Sequence, residues 1–504
     1  MMDPAIAIFA TTTVTYLLAI FAVKTLRSWI SSKHLSKLQG CKAPKLEQSW
    51  DFIGLHKVIL ASRAVLSGKI LQYLDRLWDV YGDTYSSRLL FNDVIFTRDF
   101  DNIKQIFVSQ WGDYYAGKRL GAEMFRYFAP EAIAAADGQD WKTLRDMWRV
   151  DLMNRNSLFN ASSQERHFQQ LLAHIPAGKD VDIQPLFAKL MTDLVGDIML
   201  GESFDCLSAH QPLAKKRFAE SLEVVSDAMC RAGVLGPADN LFSKKQQIHA
   251  TDYLHQYVEK VAKRKLEASF YEESHLSRTK QPQCLLDSLI ERTSDLRELR
   301  ETPLLLMSGA NHSVGALLST TIWILAKNPK LFSDLRATIL SKLGRSPPTA
   351  QDLVSITEVS NVLYEVLRLY PPLPVNARIA KNTTWLNAGG GPTGAEPMIV
   401  KEGQTVVISL WAAQRSTKYF GCDAHLFNPD RWNHLKLDTA SYLAFLMGPR
   451  QCFGQQFAMQ QSLYIIIRLL QTFTSLQSKG MDAYEPKVRI SLIQADGVRV
   501  SFSR

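Results

Sequence analysis

Over long stretches of the chain, apolar residues recur three and four positions apart. Residues 186–200, 247–268 and 301–326 all carry this spacing, which predicts helices with an inward-facing side. Strand-like segments are few. Within 83–97, residues 85–91 and 94–97 read as short β segments beside turn residues, as does 405–409. The pattern therefore predicts a mainly α chain with a small β-sheet portion, and it shows no internal repeat and no low-complexity tract. Gly389-Gly390-Gly391-Pro392 reads as a loop with no helix after it, which argues against a phosphate cradle there.

The first apolar run is different in kind. Residues 5–23 carry no charge and, at about 1.5 Å per residue, would cross most of a hydrocarbon core about 30 Å thick. Met1-Met2-Asp3-Pro4 lacks a basic residue, so a cleavable signal peptide fits poorly. Lys24, Arg27, Lys33, Lys37, Lys42 and Lys45 follow with no acid before Glu47, and the positive-inside rule then places the remainder in the cytosol. The expected organisation is a lumenal stub at 1–4, a transmembrane anchor at 5–23, a basic Gly/Pro hinge at 24–48 and a catalytic domain at 49–504. A buried N-terminal core helix is the competing reading of the run.

Composition narrows the class. With 504 residues, 46% hydrophobic and 21% charged, the chain can bury a large core and is neither disordered nor a multi-span membrane protein. The net charge of +9 is spread too thinly for a nucleic-acid module but suits an anionic membrane surface or an acidic protein partner. The six cysteines form no C-x-x-C pair, which disfavours zinc ribbons, thioredoxin-type pairs and covalently attached haem. Reduced thiols are the default.

The chemistry concentrates in Phe445-Leu446-Met447-Gly448-Pro449-Arg450-Gln451-Cys452-Phe453-Gly454, which precedes a helix-length apolar run at 455–473. A cysteine just ahead of a helix has its sulfur near amide donors and the positive end of the helix dipole, which favours the thiolate. A thiolate binds soft metals, and as axial ligand of a haem iron it favours O–O cleavage. Gly448 and Gly454 would let the backbone pass close to a flat macrocycle, and Arg450 could neutralise a propionate. A structural cysteine in a turn is the ordinary alternative.

The string matches F-x-x-G-x-R-x-C-x-G, and the chain resembles a membrane-anchored eukaryotic cytochrome P450. Other blocks fall in the family's order. Glu365 and Arg368 give E-x-x-R on one helix face, and Arg431 in Phe427-Asn428-Pro429-Asp430-Arg431-Trp432 supplies the family's second arginine. The resemblance implies that these three form a buried structural cluster. Trp141 and Arg145 give W-x-x-x-R, which in relatives meets one haem propionate, and Arg378 holds the position that reaches the other. Gly138-Gln139-Asp140-Trp141-Lys142, Leu200-Gly201-Glu202-Ser203, Gly389-Gly390-Gly391-Pro392 and Gly454-Gln455-Gln456-Phe457-Ala458 resemble the fungal branch that includes alkane and fatty-acid hydroxylases.

One block departs from the family. Relatives place A/G-G-x-D/E-T-T/S over the haem, where an acid and a hydroxyl deliver protons during oxygen activation; here it reads Ser308-Gly309-Ala310-Asn311-His312-Ser313. Gly309 and Ser313 fit, but the acid is Asn311 and the threonine is His312. Three readings of His312 stand: proton relay or substrate contact, packing against a neighbouring helix, and distal ligation of the iron.

The resemblance thus implies a cytochrome P450 fold behind one transmembrane helix, a haem b cofactor with Cys452 as axial iron ligand, and a pocket roofed near Gly309. Phe445, Gly448, Gly454, Arg450, Trp141, Arg145 and Arg378 would hold the haem, while Asn311, His312 and Ser313 would be the catalytic positions. It further implies a monooxygenase of the endoplasmic reticulum membrane, single-pass and cytosol-facing. Its electrons would come from NADPH through cytochrome P450 reductase, with cytochrome b5 as an optional second donor. The expected substrate is a hydrophobic small molecule, in a fungal secondary-metabolite tailoring step. A haem-thiolate isomerase, dehydratase or peroxide-using enzyme is the alternative that Asn311-His312 keeps open, and a haem carrier without turnover is a third.

Overall fold

Helices make up most of the computed structural model, which describes residues 30–504 apart from 31–32, 35, 38, 49, 52, 118–120, 154–158, 274–282, 436–441 and 481–482. The expected span at 5–23 lies outside the described residues. Among those described, no helix is long and apolar enough to cross a membrane. The chain divides into two compact units, one made of residues 1–63, 72–115 and 377–409 and the other of 64–71, 116–376 and 410–504.

The second unit is helical. Its main members are α1 (Gly138–Met153), α2 (Ile183–Leu200), α3 (Leu213–Leu235), α4 (Lys245–Glu273), α5 (Leu296–Lys327), α6 (Thr357–Leu369) and α7 (Gln455–Thr472). Three of these contain the periodic stretches of the sequence and extend beyond them at both ends or at the N-terminal end. Polar caps explain part of the extension. The Asp295 carboxylate accepts the Arg297 amide at 2.9 Å and starts α5, and the Asp182 carboxylate accepts the Gln184 amide at 3.1 Å and starts α2.

Helix α5 is buried without a break over residues 314–326, where neighbours pack on all its sides. It lies against α2, α4, α6 and α7. Leu299, Leu304, Leu318 and Leu325 have no exposed surface, and burial of each such side chain contributes about 1.5–3 kcal/mol. Two small sheets complete the unit: 475–478 and 180–182 flank 499–503, and 486–488 pairs with 492–494 in a hairpin that rests on α5.

The first unit carries a five-stranded sheet in the order Thr84–Leu89, Asn92–Thr97, Thr405–Ser409, Val375–Ala380, Tyr114–Tyr115, its fourth strand crossing the unit boundary. The first two strands are antiparallel, with Thr84 opposite Thr97 and Leu89 opposite Asn92. The sequence reading carries the first strand through Phe91, whereas the structure ends it at Leu89. Leu90 and Phe91 form the two-residue connection, at φ 47° and 69°. Such turns normally show Asn or Gly, so two apolar residues gave no turn signal.

A second correction concerns the triple glycine. Gly389 and Gly390 belong to the strand Thr384–Gly390, which pairs antiparallel with Glu396–Val400. A Cβ on Gly390 would sit 2.4 Å from the Pro397 carbonyl oxygen and 2.9 Å from that of Lys42, so the glycine serves close backbone approach. Residues expected in the hinge are bonded to both sheets of this unit: Lys42 N donates to Pro397 O at 2.8 Å and Gly391 N to Ala43 O at 2.9 Å on the two-stranded sheet, and Glu47 N donates to Ser86 O at 2.8 Å on the five-stranded one.

Candidate active site

The Cys452 loop is held by its own backbone. Cys452 N donates to Phe445 O at 2.8 Å and Gln451 N to Gly448 O at 3.0 Å. A single helical turn at Gly448–Arg450 tightens the middle, Gly454 caps α7, and Leu446 takes a left-handed conformation at φ 60°. For a residue with a Cβ that conformation costs about 1–2 kcal/mol, a strain the buried Phe445 and Met447 beside it hold in place.

Cys452 lies deep in the protein yet is exposed, so its thiol faces open space inside the fold. Burial pushes the thiol up, against the Gly454 and Gln455 amides and the Arg145 guanidinium, which pull it down. The amides and the helix start are where the sequence places them, and they oppose the desolvation that raises the thiol.

Trp141 and Arg145 rise from the first turns of α1. The Arg450 guanidinium lies 4.4 Å from the Trp141 ring centroid and that of Arg145 lies 5.5 Å from it, with Arg145 also 5.9 Å from the Phe453 ring. The structure therefore brings Cys452, Arg450, Trp141, Arg145 and Phe453 together. It also adds a residue the sequence reading missed. Asp137, just before α1, accepts Arg450 Nη2 at 2.6 Å and the amides of Ala116 and Gly117 at 3.1 and 3.0 Å. Burial pulls Arg450 down to about 10 against the pull of Asp137 the other way. An Asp-Gly pair at a helix start was the available signal; its partner 313 residues away was not. Arg378 belongs to the first unit, where its Nη1 donates to Ala377 O at 2.7 Å and its guanidinium lies 4.6 Å from the Phe107 ring centroid.

Glu365 and Arg368 are fully buried on α6. Arg368 Nη2 and Nε reach the two Glu365 oxygens at 2.7 and 2.9 Å, and Arg431 Nε approaches Oε1 at 3.5 Å. Trp432 Nε1 donates to Glu365 Oε2 at 3.1 Å. Asp423, also missed, accepts Arg431 Nη2 at 2.9 Å, and with Asn428 this guanidinium holds its carboxyl down at about 2.

On the middle of α5, Leu305, Leu306, Gly309, Ala310, His312 and Ser313 keep open surface while Leu304, Met307, Ser308, Asn311 and Val314 are buried. Gly309 is exposed, and a Cβ there would meet nothing within 4 Å. Ser313 Oγ donates back to Gly309 O at 2.6 Å. Asn311 turns away to α2, where its Nδ2 donates to Thr192 Oγ1 at 2.9 Å and its buried Oδ1 has no partner among the described residues. His312 Nε2 lies 2.9 Å from Ser226 Oγ on α3. Burial pulls its proton affinity down, Glu223 and Asp227 raise it, and Arg489 on the 486–494 hairpin lowers it. Phe128 is fully buried in the core.

These residues fit a haem. An exposed thiol at depth, two guanidinium groups over one indole and a helix face left open at a glycine are the donor set and the space that a flat dianionic iron porphyrin requires.

The comparisons with known proteins agree. The family model described as cytochrome P450 matches residues 44–495. Cytochrome P450 52A12 of Debaryomyces hansenii is 30% identical over 493 residues, covering 94% of this chain and 93% of that protein. Cytochrome P450 monooxygenase fsdH of Fusarium heterosporum is 29% identical over 502 residues, 96% of this chain and 87% of that protein. Cytochrome P450 monooxygenase himC of Aspergillus japonicus is 29% identical over 471 residues, with 92% and 84% covered. The match runs from the sheet-bound Pro44 to the last hairpin and takes in the whole loop that carries Cys452, and on it the chain belongs to the cytochrome P450 family.

Proposed function

We propose that the protein is a membrane-anchored haem-thiolate monooxygenase that oxidises a hydrophobic small molecule with O2. The observation that carries this reading is Cys452, whose thiol is deep in the fold and yet open beside Arg145, Arg450 and Trp141. Haem, when bound, supplies the redox chemistry of oxygen activation. Cys452 would ligate the iron, and Trp141, Arg145, Arg450 and Arg378 would be the residues that hold the propionates. Phe445, Gly448 and Gly454 shape the loop that admits the macrocycle.

The chain's own residues do the rest. Leu305, Leu306 and Ala310 present an apolar wall that holds an apolar substrate and keeps bulk water away. Ser313, back-bonded to Gly309 O, holds a hydroxyl on the same open face. His312 holds a proton at a ring nitrogen, a role Asn311 cannot take because an amide does not titrate.

Anchoring by residues 5–23, a hinge at 24–48, a catalytic domain at 49–504, the cytosolic face of the endoplasmic reticulum, and electrons from NADPH through cytochrome P450 reductase with cytochrome b5 as a further donor belong to the same proposal. Similarity to fungal proteins named as monooxygenases, together with the altered Asn311-His312 pair, supports a secondary-metabolite tailoring step. That pair also supports a second reading, an isomerase, dehydratase or peroxide-using enzyme, because these need no acid–hydroxyl pair.

The test is the carbon monoxide spectrum of the reduced protein. The wild type should show the long-wavelength band of thiolate ligation, and Cys452→Ala should lose the band or the haem. An unchanged thiolate band in Cys452→Ala would remove Cys452 from the iron. Turnover that needs neither O2 nor NADPH would select the second reading.

A further inference from the structure

His312 stands at the margin of the open face of α5. At about 100° per residue, Leu305, Leu306, Gly309 and Ser313 share that face, with Ala310 on one margin and His312 on the other. From its margin the ring crosses to α3, where its Nε2 lies 2.9 Å from the Oγ of the buried Ser226. The threonine of the family pattern is too short for that crossing. The second ring nitrogen, Nδ1, has no hydrogen-bond partner among the described residues, although the residue keeps open surface. A ring that only packed would have both nitrogens paired.

The rest of the face sets what Nδ1 can meet. Leu305, Leu306 and Ala310 offer hydrocarbon. Ser313 Oγ donates to Gly309 O at 2.6 Å, so its proton is taken and only its lone pairs are left. The role of Nδ1 follows from the bond to Ser226. Where the Ser226 hydroxyl donates to Nε2, Nδ1 carries the ring proton and donates; in the other tautomer Nδ1 accepts. A hydroxyl group serves either tautomer, a carbonyl serves one and a hydrocarbon serves neither.

We propose that His312 binds substrate directly, its Nδ1 recognising a hydroxyl on an otherwise apolar molecule, with Ser226 as the positioning residue that fixes the ring. This rests on the haem-thiolate reading above and deepens it by naming the substrate class, an apolar compound that already carries an alcohol. The reaction that supplies it is therefore one that leaves a hydroxyl on the skeleton.

The test is a set of difference spectra on the full-length, haem-loaded ferric protein. The probes are three matched pairs: dodecanol and dodecane, menthol and menthane, cholestanol and cholestane. The readout is the ratio of alcohol to hydrocarbon affinity within a pair, which cancels the burial that both members share. His312→Phe keeps a ring of similar size without its nitrogens, and His312→Ala removes the ring. For at least one pair the ratio should fall several-fold from the wild type to both variants, the worth of one hydrogen bond, with the carbon monoxide band of the reduced protein unchanged. Ser226→Ala should lower it part of the way.

A ratio that both His312 variants leave unchanged in every pair would overturn the proposal, and so would a wild type that responds to none of the alcohols. A ratio unmoved by Ser226→Ala would remove Ser226 as the positioning residue. Absence of the thiolate band in the wild type would instead sink the haem reading, and that failure is visible before any probe is added.

Discussion

Asp137 shows what a single side chain decides in this protein. Its carboxylate ties the start of α1 to Arg450 and to two backbone amides, so one residue fixes both the helix that bears Trp141 and Arg145 and the loop that bears Cys452. Asp137→Asn keeps the shape and removes the charge opposite a buried guanidinium. Breaking one side of a buried pair costs about 3–5 kcal/mol, and the denaturant midpoint and haem content should fall together. An unchanged midpoint would mean that Arg450 finds equal compensation elsewhere. The Cys452 loop, the E-x-x-R pair and the odd His312 were legible as motifs because each sits in a short local pattern. Asp137, Asp423 and Ser226 were not, because their roles come from partners on other segments and no local spacing encodes those meetings.

At the scale of elements, α2, α4 and α5 were visible as period-3.6 patterns, and only their capped, more polar ends escaped notice. The sheets were harder to read. Strands at 384–390, 396–400, 475–478, 486–488, 492–494 and 499–503 are short, and the Leu90–Phe91 connection hides its turn behind two apolar residues with positive φ. That connection carries a specific expectation. Leu90→Asn,Phe91→Gly places the residue types a tight hairpin favours into a left-handed backbone that costs an ordinary residue about 1–2 kcal/mol. Both side chains are exposed, so little packing is lost. The double variant should raise the thermal midpoint, and a fall would show that the two side chains make contacts worth more than the strain.

For the whole molecule, the Glu365–Arg368–Arg431–Asp423 cluster sets an acid limit. The folded Asp423 carboxyl titrates at about 2 because Arg431 and Asn428 hold it down, below the roughly 3.9 of an unfolded aspartate. A depressed folded value means that the contribution is fully present above about pH 4 and is lost as the pH falls from about 4 toward 2. Thermal melts between pH 7 and pH 2.5 should therefore show a steeper acid decline in the wild type than in Asp423→Asn, and parallel curves would remove Asp423 from the acid response. The backbone bonds of Lys42, Ala43 and Glu47 to Pro397, Gly391 and Ser86 bear on where the chain can be cut. A truncation ending at Lys37 leaves that seam whole. One that reaches Gln48 strips a ready-made pairing edge from Ser86 and Gly391, and such an edge recruits another chain; the shorter product would be the one that aggregates, for a reason that lies in the sheet and has nothing to do with the membrane.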